Sequence, residues 1–198
     1  MAREWGTIDR YRLEKFMMLV RKFLHQCYQL LRSLKWDPEH IRGFCKVMKK
    51  TVINPSHEGA PLGLKMHICD IYMEELTIVG HEELTPDLVK MFLIPYCRML
   101  WKCDDYFYLS DVAKNIFLYL INQDADERKF HEFPVLKFDA ESVQQLLLKF
   151  AKKPSLRKKN MKVIYNIVKQ FEDFKNGVCS ADKIFEDQSS GPKLRKRD

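Results

Sequence analysis

His67, Cys69 and Asp70 fall within four consecutive positions, and an imidazole, a thiol and a carboxylate are the groups from which a nucleophile and its base are built. Helical spacing pulls this set apart. His67 and Asp70 are i,i+3 neighbours on one face, while Cys69 points elsewhere. A lone cysteine in an apolar helix reads as a small core hydrophobe. Asp104 and Asp105 pair two carboxylates, as a metal site would, but negative charge at that place also suits the start of a helix. The six cysteines form no CxxC pair, Cys97 and Cys103 stand six apart, and the six histidines are scattered, so no four-ligand zinc spacing exists. GxGxxG, P-loop and GxSxG motifs are absent. The residues point away from an enzyme, a cofactor, a metal and a small-molecule substrate.

Cations make the stronger pattern. Lys149, Lys152, Lys153, Arg157, Lys158, Lys159 and Lys162 lie within fourteen residues around Pro154, with no acid among them. Leu146, Leu147, Phe150, Leu156, Met161, Ile164 and Tyr165 interleave with them and would hold two helices together. Such a cluster releases counterions from phosphates and gives salt-sensitive, sequence-tolerant affinity. It is either a polyanion-binding surface or a solvated helix face, and the absence of acids favours the first. The partner would be RNA or an acidic protein segment. Trp5, Arg10, Arg12 and Lys15 form a second possible contact surface, unless Trp5 staples the start of the helix and Asp9 or Glu14 pairs with the arginines. Lys193, Arg195, Lys196 and Arg197 resemble a nuclear-localisation cluster.

Helical periodicity must position these groups, because strand alternation is nearly absent. Leu13, Met17, Val20, Leu24, Cys27, Leu31 and Leu34 step by 4,3,4,3,4,3 along a first helix from about Asp9 to Leu34. Phe16, Leu19, Phe23 and Leu30 widen that seam, which predicts packing between neighbours on more than one side. Asp37-Pro38 opens a second helix to about Lys50. The Asn54–Pro61 segment is a loop. A third helix covers about Leu64–Val79, with Gly80 as its C′ stop. Thr85-Pro86 caps a fourth, which Pro95 should kink near Met91–Phe92. A fifth spans about Tyr106–Asn122. After a polar connection, Gln123–Phe138, Asp139 caps a sixth to about Lys152, and Ser155 caps a seventh to about Asn176.

Seven helices joined by short loops predict an all-α fold, with HEAT- or armadillo-like stacked antiparallel pairs preferred over an irregular bundle. Residues 1–178 form the helical domain, and residues 179–198 read as a disordered polar and basic tail. Charge is distributed unevenly: residues 1–36 carry +5, residues 37–141 carry −6, residues 142–171 carry +8 and residues 172–198 carry zero, which sums to the net +7. The acidic middle would repel a phosphate backbone. No apolar run approaches the roughly 18–20 residues of a membrane span. The N-terminus lacks signal-peptide organisation, which predicts a reducing compartment and free thiols.

Arg3-Glu4-Trp5, Ile8-Asp9-Arg10, Arg12-Leu13, Lys15-Phe16 and Leu19-x-Arg21 together resemble the signature of the ribosomal RNA processing protein 1 family. Asp70-Ile71-Tyr72-Met73-Glu74-Glu75-Leu76 is similar to that family's second motif. Gly80, Glu83-Leu84-Thr85 and Ile94-Pro95-Tyr96-Cys97 follow in the same manner. The likeness covers about 120 residues and is diffuse beyond Gln123. Met1 stands almost on the first motif and the tail is short. The chain therefore reads as lacking the family's N-terminal segment and long C-terminal extension, as a truncated isoform, an incomplete gene model or a reduced paralogue.

The resemblance implies a non-enzymatic scaffold factor of the nucleus and nucleolus, acting in rRNA processing and in assembly of the large (60S) subunit precursor. It implies pre-60S assembly factors and precursor rRNA as partners, and no membrane. A helical-repeat adaptor between proteins, with no RNA role, is the alternative.

Overall fold

Asp9 starts the first helix: its carboxylate accepts the Arg12 amide at 3.0 Å, and α1 runs Arg10–Ser33. A 3-10 turn, Ala2–Thr7, precedes it. The computed structural model describes residues 2–55, 59–123 and 135–178, with backbone alone at residues 2–4. Lys35 and Trp36 turn the chain with φ of 54° and 55°. Asp37 then caps α2, Pro38–Lys50, by accepting the amides of Glu39 and His40. α3 is Leu62–Gly80 and α4 is Pro86–Lys102. α5, Tyr106–Val112, continues through a π-helical stretch, Ala113–Leu118, into α6, Tyr119–Asn122. α7 is Ala140–Ala151 and α8 is Lys158–Lys175. The fold is all-α, and no strand occurs among the described residues. No helix among them is long and apolar enough to cross a membrane.

Alternate helices stack in two rows. α1 packs on α3, and α3 on α5 and the π-helical stretch; α2 packs on α4, and α4 on α7. α8 lies along α7 and also touches α4 and α5. Aromatic rings join the rows. The Tyr28 ring meets Phe44, Tyr72 and Phe92 at 5.5, 5.9 and 5.8 Å between centroids, which ties α1 to α2, α3 and α4. Tyr28 Oη donates to the Tyr72 carbonyl and Tyr72 Oη to the Phe92 carbonyl, each at 3.2 Å. These buried phenols are thus paired with backbone.

α4 runs from Pro86 to Lys102 with Pro95 inside it, and three expectations change elsewhere. A proline at that position leaves the Met91 carbonyl without its helical donor, and the Cys45 thiol reaches that oxygen at 3.7 Å. Gly80 is not a left-handed stop. It ends α3 with a φ of −101°, and glycine is needed there because a β-carbon would sit 2.3 Å from Leu84 and 3.3 Å from Trp36. Ser155 does not cap the last helix. It turns with φ 62°, and α8 begins three residues later behind Arg157, because this connection reaches across to the end of α4. The first helix is covered on one side only. Val20, Leu24, Tyr28 and Leu31 are buried, whereas Leu19, Phe23 and Leu30 are exposed.

The π-helical stretch adds local detail that periodicity does not reveal. It aims Asn115 Nδ2 at Asp70 Oδ1, 2.7 Å away, and leads into Tyr119, whose hydroxyl donates to Thr77 Oγ1 at 3.0 Å. Both bonds fasten this run to α3. Of the polar Gln123–Phe138 connection, residues 124–134 lie outside the described residues. Its ends are clasped by the Gln123 side-chain amide, which donates to the Leu136 carbonyl and accepts the Leu136 amide.

Candidate nucleic-acid interface

The basic cluster occupies the end of α7, the turn after it and the first two turns of α8. All seven cations, Lys149, Lys152, Lys153, Arg157, Lys158, Lys159 and Lys162, are exposed. The turn is mounted on the C-terminal end of α4. Asn160 is fully buried, and its Nδ2 donates to the carbonyls of Leu100 and Cys103, both at 2.9 Å. These carbonyls belong to a helix end that lacks intrahelical donors. Trp101 Nε1 donates to the Pro154 carbonyl at 3.1 Å. Arg157 pairs with the Asp104 carboxylate, and Lys159 donates to the Asp104 carbonyl.

Those last two bonds divide the cluster. Arg157 and Lys159 hold the turn in place. Lys149, Lys152, Lys153, Lys158 and Lys162 make no ion pair with the described residues. Their charge is therefore available to a polyanion. The interleaved apolar residues divide too. Leu147 and Ile164 are buried, and Leu146, Phe150 and Leu156 pack partly against the core. Met161 and Tyr165 do not join them. They are 38% and 50% exposed, because Lys158, Met161, Lys162, Tyr165 and Lys169 fall on the outward face of α8.

The structure adds groups that the linear cluster did not contain. The Trp101–Pro154 bond brings α4 to the turn, and Lys102 Nζ lies 4.6 Å over the Trp101 ring. Arg98, one turn earlier on α4, is exposed. Tyr165, which the sequence places among the residues joining the two helices, instead offers an exposed ring among lysines, the arrangement on which unpaired bases stack. Long-range contact between α4 and the turn carries no linear signal. Tyr165 could have been found by placing α8 on a helical wheel.

The second proposed surface does not assemble as expected. Trp5 packs into the fold: its ring stacks on His67 with centroids 6.2 Å apart, and a β-carbon on Gly63 would lie 3.2 Å from its Nε1. Arg12 pairs with Asp9. Arg10 and Lys15 are exposed on α1. Lys193, Arg195, Lys196 and Arg197 lie outside the described residues.

The groups that resembled catalytic sets are used structurally. His67 Nε2 lies 2.9 Å from the Met17 carbonyl, under Trp5. Asp70 accepts from Asn115. Burial pushes the Cys69 thiol well above its ordinary range and Cys45 up to about 12, so both stay protonated at neutral pH. Asp105 caps α5 by accepting the Tyr108 amide at 3.0 Å. Asp104 holds Arg157. Among the described residues no three His, Cys, Asp or Glu side chains gather as a metal site would require.

The two motifs that carry the family resemblance interlock. Arg21, which closes the first, donates from Nε to Glu75 at 2.5 Å and from Nη2 to Glu74 at 3.0 Å, both in the second. His25 Nδ1 lies 2.7 Å from the other Glu75 oxygen. Glu75 is buried, so its charge is compensated by a fork that α1 supplies. Residues 1–176 match the family model described as "Nucleolar protein, Nop52". The chain belongs to the Nop52 family. Among curated relatives, this Nop52-family chain is 28% identical to ribosomal RNA processing protein 1 homolog A of Homo sapiens, over 93% of its own length and 52% of the relative's. It is 30% identical to ribosomal RNA processing protein 1 homolog of Caenorhabditis elegans, over 89% and 46%. It is 34% identical to homolog B of Mus musculus, over 67% and 19%. The chain thus spans about half, or less, of the curated relatives it matches.

Proposed function

We propose that this chain is a non-enzymatic scaffold in ribosomal RNA processing and in assembly of the large (60S) subunit precursor, acting in the nucleolus. Membership of a nucleolar family whose relatives are named for rRNA processing supports the setting. The observation that carries the mechanism is the mounted basic turn. Five exposed lysines stand without acids on a segment fixed to α4 by Asn160 and Trp101. Precursor rRNA is read there as the ligand, gripped through phosphates in a sequence-tolerant way. Pre-60S assembly factors are the proposed protein partners, and the alternate stacking of helices supports a HEAT- or armadillo-like platform for them. Depletion of the protein should cause large-subunit rRNA precursors to accumulate. Unchanged precursor levels would refute the assembly role.

The acidic middle favours a second reading, a protein-only adaptor. Partners that survive nuclease treatment, with no RNA crosslinked to the chain, would select it.

A further inference from the structure

α1 carries two apolar seams, and the fold covers one. The covered seam includes Val20, Leu24, Tyr28 and Leu31. The second runs Phe16, Leu19, Phe23, Gln26 and Leu30, with steps of 3,4,3,4. Phe16 is half-buried; Leu19, Phe23 and Leu30 are 49%, 70% and 61% exposed. Steps of 3 and 4 keep these side chains on one face of the helix, where they take the a and d positions if the run is read as heptads. Gln26 is the one polar member of this run.

The flanks say what would cover it. Taking Phe16 as a, Lys15 and Lys22 occupy successive g positions, where side chains choose the partner's charge. Arg12, Arg21 and Arg32 are already paired with Asp9, Glu74 with Glu75, and Glu83 respectively. Lys15 and Lys22 make no ion pair with the described residues. Glu14 is the only acid in α1, and its position faces away from this seam. We propose that the outer face of α1 docks an amphipathic helix of a partner protein, with apolar residues at a and d and glutamate or aspartate on the edge that meets Lys15 and Lys22. A phosphate chain is a poorer fit, since two lysines would be neutralised while Leu19, Phe23 and Leu30 stayed in water. The face is separate from the basic turn and does not depend on the RNA reading.

The full chain can be tested with two synthetic helices of three heptads, leucine at a and d, with all e and g positions glutamate in one and lysine in the other. Each peptide repels its own copies, so it remains available. Fluorescence anisotropy should show the acidic peptide binding about tenfold tighter than the basic one, from two ion pairs gained and two repulsions avoided. The Lys15→Glu/Lys22→Glu variant should reverse that order, and Phe23→Glu should abolish binding without loss of helicity, since these side chains are exposed. The proposal is overturned if the wild-type chain binds neither peptide, or if the charge swap leaves the order unchanged. It is also overturned if sedimentation shows a dimer that Leu30→Glu dissolves, which would seat a second copy there. Binding of anionic phosphatidylserine vesicles in place of the peptides, lost in Phe23→Glu, would assign the face to a membrane and overturn it equally.

Discussion

Two clasps hold this fold together, and they differ in what they leave outside. Between α1 and α3, Arg21 pairs with Glu74 and Glu75, His25 lies in hydrogen-bond reach of the second Glu75 oxygen, and Trp5 lies over His67. Between α4 and α8, the neutral side chain of Asn160 does most of the holding, with Arg157 and Lys159 both spent on Asp104. The lysines around the second clasp are exposed and make no ion pair with the described residues. Residues that carry the family resemblance are therefore mostly structural. The larger group of cations without an ion pair among the described residues lies where the resemblance is diffuse, although Lys15 of the first motif is free as well. A motif identifies the family, but it does not by itself mark a binding surface.

Breaking the first clasp should have the largest effect. Glu75→Ala removes the acceptor shared by Arg21 and His25 in a buried place and should destabilise by about 2–3 kcal/mol in urea unfolding. A loss below about 0.5 kcal/mol would mean that the clasp is decorative. Breaking the second should cost somewhat less. Asn160→Ala deletes bonds to two buried carbonyls, with an expected loss of about 2 kcal/mol. Because it unseats the turn, RNA association should fall with it, whereas Glu75→Ala should leave the salt slope of folded protein intact.

The comparison sharpens with charge alone. Lys152→Gln/Lys153→Gln/Lys158→Gln should leave stability within about 0.5 kcal/mol. It should flatten the slope of log K against log salt by about 2 for single-stranded RNA. Arg157→Gln should instead register mainly as a stability change, since that guanidinium is paired with Asp104. An acid titration gives a smaller effect. Asp37 is held below its usual range, first by the His40 side chain and then by the amides it caps. A depressed carboxylate contributes stability that is present above its unfolded value and lost as pH falls through its folded value. Asp37→Asn should therefore reduce the acid sensitivity of thermal unfolding below about pH 4 while keeping most of the cap.

Helix positions were largely legible in the sequence, because caps announce themselves locally. Asp9, Asp37, Asp105 and Asp139 each cap the helix that follows. What failed was decided by distant partners. α3 does end at Gly80, but in a right-handed conformation, and the close approach of Leu84 and Trp36 is what calls for glycine there. Ser155 read as a cap, but the reach to Trp101 and Asn160 moved the start of α8. The cations of the candidate site were visible as a run. Their division into holding and available groups was not, since Asp104 lies about fifty residues away from its partners. Trp5 read as part of a contact surface because a linear motif cannot show the space above Gly63.

The most direct measurement is crosslinking of the tagged protein to RNA in cells, purification under denaturing conditions and sequencing of the attached RNA. The wild type should be compared with Lys152→Gln/Lys153→Gln/Lys158→Gln. Reads should concentrate in the large-subunit precursor and its spacers and fall sharply in the variant. No RNA above background, or crosslinks untouched by the substitutions, would contradict the basic turn as the place where this chain meets precursor rRNA.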